Sequence, residues 1–462
     1  MDILDLNLFL KTRDNKKNTT KFLGNQKGSR ISLSIASIAE LCHDKLNLII
    51  TPDTKTARQL LQEIPALLNK NNINTEIFPD WETLAYDAFS PHQDITSKRL
   101  EILANIKNKK QEILICPINA LMLPVPSLEY IGKHSLNLKA GETLNLIQKR
   151  RELEKSGYLC VQNVLSAGEF AVRGSILDIY PMGASNPFRI DLFDDEVDTI
   201  KEFDPDTQRS GKSITQINLL PAREYPLTPE TTQNFIANFT QHHPQQADSE
   251  FIEALKNGKP YPGMEYYLPL FFDKKYTLLD FLLTSKNNTQ IIFTDFVNKT
   301  GETLWQEISQ QFEQIKFRLN NPPIPPKYIF TPINEIFEQI NKSKASQIYL
   351  QKNPISKISS NSKNISYKST PDLTIDVKQE VPQAKLKTFI QQSTLNSDTK
   401  IIFCASGPGR MEHLKSHLNK INEYPTNITS WQNFYNSSAH TKNNNLALMI
   451  APIQNSIYLE LG

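Results

Sequence analysis

The segment Leu46-Asn47-Leu48-Ile49-Ile50 is short and apolar. It stops at Thr51-Pro52-Asp53 and gives way to a helical pattern through Leu60, Leu61 and Ile64. The alternation continues on both sides. Arg30–Leu41 carries Ile31, Leu33, Ile35, Ile38 and Leu41 at helical spacing, Glu76-Ile77-Phe78 reads as a strand, Thr96–Asn105 as a helix and Ile113–Cys116 as a strand. Strands that alternate with helices can pair side by side only through crossovers. The first block is therefore a parallel sheet with helices on its faces, an α/β domain.

The pattern changes at about Lys133. Up to Pro221 the chain reads as strands, Glu169–Tyr180, Phe188–Phe193 and Thr199–Phe203, parted by Pro181-Met182-Gly183 and Asp194-Asp195. That is a small, mostly antiparallel α+β insertion. The α/β pattern then returns, with strands at Thr289–Phe293 and Gln347–Leu350 and a stiff loop at Pro322–Pro326. Ser356–Tyr367 has the Ser, Asn and Lys content of a linker. A last small α/β block follows: helix Gln383–Gln391, strand Thr399–Cys404 and helix Arg410–Leu418. The apolar run Ile457–Leu461 ends the sequence abruptly, which suggests a piece of a longer protein.

Composition excludes several classes. The 51 basic and 49 acidic residues leave a net charge of +2, unlike the basic excess of a dedicated nucleic-acid binder. No run of about eighteen apolar residues exists, so no membrane span is expected. Met1–Lys17 lacks the order of a signal peptide, and a cytoplasmic location is expected. Cys42, Cys116, Cys160 and Cys404 are far apart and read as reduced, mostly buried thiols, with no metal site. His242-His243, in a polar run, reads as a surface loop.

Leu23–Ile31 stands where a phosphate-binding loop would stand. Such a loop needs glycines to free its backbone amides, a Lys for the terminal phosphates and a hydroxyl for magnesium. Gly24 fits. Ser29 replaces the second glycine, Arg30 the lysine and Ile31 the hydroxyl residue. Ile31 cannot ligate a metal, and a forked guanidinium does not substitute for a point charge in a tight nest. No nucleotide cofactor is expected. Phe188–Glu196 mimics the magnesium-holding strand, but Arg189 and Asp191 inside it mark a half-exposed strand. Gly407-Pro408-Gly409-Arg410 is read as a strand-to-helix turn, and Trp81, Tyr86 and Phe89 as core or domain-interface aromatics.

Phe78–Ile95 and Gly168–Gly183, continued by Phe188–Glu196 and Ile217–Ala222, resemble long signatures of the bacterial transcription-repair coupling factors. The likeness is strong over about residues 20–225 and weaker beyond. It implies a UvrB-like layout: domain 1a at 1–132 with a degenerate nucleotide fold, an inserted domain 2 at 133–222, domain 1b at 223–355, a linker at 356–375, and a small α/β domain 3 at 376–462. In the family this region has lost nucleotide binding and the long aromatic hairpin with which UvrB clamps DNA. Asp80–Ile95 is too short to hold such a hairpin.

The resemblance also implies a non-catalytic scaffold whose second domain binds UvrA. RNA polymerase and DNA are engaged only by a carboxy-terminal part outside this chain, which also masks the docking face by an intramolecular contact. The rival reading is an active UvrB-like ATP-dependent helicase module. Along Phe188–Phe193, alternation sends Phe188, Ile190 and Leu192 to a core face and Arg189, Asp191 and Phe193 to the other. By resemblance, Arg173, Arg189 and Phe193 contact UvrA, with Asp191 and Asp195 as weaker additions. Truncating the first three is expected to weaken docking and leave the fold intact.

Overall fold

The computed structural model describes residues 20–457 and Phe9, apart from 43, 70–72, 107–111, 247–249, 284–287, 319–320, 344, 366–370, 374, 376–377, 379–381, 395–398 and 437–444. Met1–Lys17 and the terminal apolar run Ile457–Leu461 lie almost wholly outside the described residues.

The first block contains β1 (Thr20–Gly24), α1 (Arg30–Leu41), β2 (Leu46–Thr51), α2 (Thr54–Leu67), β3 (Thr75–Ile77), α3 (Gln93–Asn105) and β4 (Ile113–Pro117). Local chemistry sets several ends. Asp53 caps α2 through the Thr56 N–H. His92 caps α3 through the Asp94 N–H, so that helix starts three residues earlier than its apolar pattern predicts.

The insertion comprises β5 (Leu136–Lys139), α4 (Leu146–Lys155), β6 (Leu159–Cys160), β7 (Glu169–Arg173), β8 (Ile176–Ile179), β9 (Phe188–Phe193), β10 (Glu196–Phe203), β11 (Ser210–Ile214) and β12 (Gln216–Leu219). The stretch expected as one strand, Glu169–Tyr180, is a hairpin. Gly174 turns it at φ +60, a backbone state that favours glycine. Arg173 consequently lies two strands from β9, with β8 between them.

The chain then continues through α5 (Pro229–His242), β13 (Thr289–Phe293), α6 (Val297–Ile315), α7 (Ile333–Lys342), β14 (Ser346–Leu350), β15 (Ser362–Asn364), α8 (Ala384–Thr394), β16 (Ile401–Ala405), α9 (Pro408–Asn419), β17 (Thr426–Ile428) and β18 (Leu446–Ile450). A seven-stranded sheet has the order β15-β1-β14-β13-β2-β4-β3. Every pair in it is parallel. Its central strands β2, β4 and β13 are buried along their whole length, as helices on both faces require. β15 corrects the linker expectation: three polar residues inside 356–375 form the sheet's edge. Short polar edge strands look like linkers in a sequence, because only one side of their backbone is paired.

The six-stranded sheet of the insertion has the order β11-β10-β9-β8-β7-β6. One face, with Phe170, Leu177, Ile179, Ile190, Leu192 and Val197, shares a core with the parallel sheet's helices. The two chain crossings into this insertion are tied together. Tyr130 Oη, on the entry side, donates to the backbone oxygens of Arg223 (3.0 Å) and Tyr225 (3.3 Å) on the exit side. The intervening exit residue Glu224 forms an ion pair with Arg99 of α3, with side chains 1% and 0% exposed. Trp81 Nε1 also donates to that carboxylate, at 3.3 Å. Trp81 and Tyr86 join an aromatic core, whereas Phe89, expected with them, is exposed. His242 and His243 end α5, so the loop expected there is a helix terminus. Of the four thiols only Cys116 is buried, and Cys160 is exposed.

Candidate functional site

Cross-strand register fixes the outer face of the insertion's sheet. Ala171, Asp178, Arg189 and Lys201 lie in one row, and Arg173, Ile176, Asp191 and Thr199 in the next. Phe193, paired with Glu196, ends β9 on the same side. The candidates Arg173, Arg189, Asp191 and Phe193 therefore share a face, and Asp195 sits in the exposed turn beyond it.

They are engaged differently. Arg189 is committed inward. Its Nε and Nη2 donate to the two carboxylate oxygens of Asp178 at 2.7 and 2.9 Å, and its Nη1 donates to the Gln208 backbone oxygen at 3.3 Å. The guanidinium also lies 5.0 Å from the Phe203 ring centre. The Asp178 hydrogen bonds hold Arg189 still more firmly charged than usual. Asp178 is 2% exposed in its side chain, against 19% for Arg189. The expectation that truncating Arg189 leaves the fold intact is corrected here, since it would strand a buried carboxylate. Arg173 is exposed and donates to the Gln162 backbone oxygen and to Asn163 Oδ1. Asp191 accepts from Thr199 Oγ1 at 3.1 Å and faces Lys201 Nζ at 3.9 Å. Phe193 is 75% exposed. Beside it Asp194 takes φ +52 to make the turn.

Two family models match this chain. The UvrB interaction domain covers residues 136–225, and the D3 domain of Mfd covers residues 389–461. The transcription-repair-coupling factor of Haemophilus influenzae is 33% identical over 447 residues, 96% of this chain and 37% of that protein. That of Escherichia coli is 31% identical over 414 residues, 89% of this chain and 35% of its own length. The chain belongs to the transcription-repair-coupling factor family. It spans little more than a third of these two relatives. The match to the UvrB interaction domain takes in all of β5–β12, and with them every outer-face candidate.

The phosphate-loop remnant of this family member is filled by its own side chains. Gly24 is needed because a Cβ there would lie 2.1 Å from Asn364 Oδ1 of β15. Arg30 and Ser29 are 3% and 0% exposed. Ser29 Oγ donates to Glu63 Oε1 at 2.8 Å, and Ser32 Oγ donates to Glu63 Oε2. Ile31 packs against the apolar cluster beneath. Among the described residues no group of His, Cys, Asp and Glu is arranged to hold a metal ion, and no helix is long and apolar enough to cross a membrane.

Two functional residues escaped sequence reading, Asp178 and Glu63. Each had a signal. Asp178 is a lone carboxylate in the apolar strand Ile176–Ile179, and Glu63 stands three residues after Leu60 on the buried stripe Ala57, Leu60, Ile64 and Leu67 of α2.

Proposed function

We propose that this chain is a UvrA-recruiting scaffold of transcription-coupled nucleotide excision repair, with no catalytic turnover of its own. The observation that carries the reading is the bare Phe193 ring, set on a rigid antiparallel sheet inside the segment that matches the UvrB interaction domain. An aromatic anchor with an arginine (Arg173) on the same face has the composition of an interface centre. Asp191 and Asp195 supply polar rim groups, and Arg189 braces the face from within. The filled phosphate-loop remnant supports the absence of ATP chemistry and speaks against the helicase reading. RNA polymerase and DNA are engaged, on this reading, by parts of the whole protein outside this chain. The same holds for the contact that masks the docking face. The division into domains at 1–132, 133–222, 223–355 and 376–462 accompanies this proposal.

Calorimetric titration of UvrA with the wild-type chain and with Phe193→Ala tests it. Binding by the wild type and its loss in the variant, at unchanged melting temperature, is the expected result. Equal binding by both places the docking surface elsewhere.

A further inference from the structure

Glu63 lies in the middle of α2 with no exposed surface. Four donors reach its carboxylate. Three come from the first domain: Ser29 Oγ at 2.8 Å, Ser32 Oγ, and Gln59 Nε2 at 3.0 Å. The fourth is the backbone N–H of Gln454, at 3.1 Å, from the segment that follows β18. Its neighbour Asn455 donates its own N–H to Ser29 Oγ at 2.9 Å. Ser29 thus passes one hydrogen bond to Glu63 and receives another from the last domain. Opposite, Gly28 takes φ +59, and a Cβ there would stand 2.7 Å from Asn455 Cβ, so the two backbones meet where any side chain would part them.

One turn further along the same face of α2, the Leu67 backbone oxygen accepts both Trp431 Nε1 (3.1 Å) and Gln432 Nε2 (2.9 Å). Met449, Ala451 and Ile453 complete the apolar part of the contact with α1 and α2.

We propose that Glu63 is the latch that fastens the last domain to the first, an internal anion held at the first turn of α1 in place of a phosphate. The argument rests on what a buried carboxylate demands. An ionised group taken out of water must have its roughly four acceptor positions filled, or the desolvation penalty is uncompensated. Here Oε1 receives Ser29, Gln59 and the Gln454 N–H while Oε2 receives Ser32, so the last of the four donors arrives only when residues 454–455 are seated. One seating satisfies the carboxylate, so the charge specifies the docked geometry as well as holding it. The first turn of α1 adds a favourable field for a negative group. An external anion could enter this remnant only by displacing both Glu63 and Asn455. The inference stands apart from UvrA recruitment and does not depend on it.

Amide hydrogen exchange on the whole chain tests the latch. In Glu63→Gln the amide group brings donors toward donors, and exchange at Gln454 and Asn455 should rise by about tenfold or more. Exchange in the β16–β18 ladder should stay as in the wild type. Gln454→Pro removes the fourth donor from the other side without touching the first domain's core, and should loosen the Asn455 amide. Combining the two should loosen that amide no further than the stronger single variant. Wild-type protection at Asn455 in Glu63→Gln, or strictly additive loosening in the double variant, overturns the proposal. If Glu63→Gln does not fold, unaltered Asn455 exchange in Gln454→Pro overturns it alone.

Discussion

The β9 tip and the remnant phosphate loop are opposite solutions to the same question, what to do with a surface built for binding. At the loop, several groups that could face a ligand meet internal partners instead: Ser29 and Ser32 meet Glu63, Gly24 meets Asn364, and Gly28 meets Asn455. At the tip, Phe193 is left 75% exposed, while Asp191 on the same face is engaged by Thr199 and Lys201. A site that has lost its ligand is closed by internal partners, because unpaired buried polar groups are costly. An apolar anchor has no such pressure on it within the chain. On the proposed reading it is covered only when UvrA binds.

The sharpest attempt to break this contrast is made beneath the tip. Arg189→Ala leaves Asp178 buried without its fork and should destabilise the fold by about 3 kcal/mol or more, seen in denaturant melts. Arg189→Ala with Asp178→Ala should recover much of that loss, since both charges go together. Ile190→Ala, on the core face, should cost a comparable amount, about 2–5 kcal/mol, and leave affinity for UvrA intact below its melting temperature. If Arg189→Ala melts like the wild type yet abolishes UvrA binding, Arg189 belongs with Phe193 as a contact.

Phe193→Ala comes next in size. It should weaken UvrA binding by about thirtyfold, roughly 2 kcal/mol, with no loss of stability. A lowered melting point would show that the ring supports the fold.

Glu265 sharpens the comparison from another side. Burial pushes its carboxyl up to about 7, with the Ser90 hydroxyl opposing the shift from 2.8 Å. A carboxyl whose folded pKa is raised contributes stability below its unfolded pKa, near 4.5, and loses it as pH rises through about 7. Glu265→Gln should therefore gain about 2 kcal/mol at pH 8 and little at pH 5, read from melts at the two values. An equal gain at both would mean the carboxyl titrates normally.

The smallest expected effect is none. Arg30→Lys with Ile31→Thr restores the side chains of a phosphate loop but not its space, so fluorescent ATP should bind neither the variant nor the wild type. Saturable binding by either one would reopen the helicase reading.

Much of this was legible beforehand. The α/β class followed from strands such as Ile113–Cys116 that are apolar along their whole length. The two faces of β9 followed from alternation, with Ile190 and Leu192 buried and Phe193 exposed. What escaped depends on chain segments that are distant in sequence. Nothing near Arg189 announces that Asp178 lies across the strand pair, because the hairpin turn at Gly174 sets that register. Nothing near Gly28 announces Asn455, more than four hundred residues away. Ser362–Asn364 has no strand propensity of its own; β1 makes it a strand.

The stitched crossings of the insertion have a mechanical consequence. A domain hung on two loose strands would swing, and a partner caught on it would first have to restrain that swing. Here Tyr130 on the entry side is hydrogen-bonded to Arg223 and Tyr225 on the exit side, and the adjacent Glu224 is held by Arg99 in a buried ion pair. The six-stranded sheet also shares a core with the helices below it. The tip is therefore presented at a fixed bearing. A molecule gripping Phe193 gives up little extra rotational freedom to the linkage, and torque applied there passes straight into the parallel sheet.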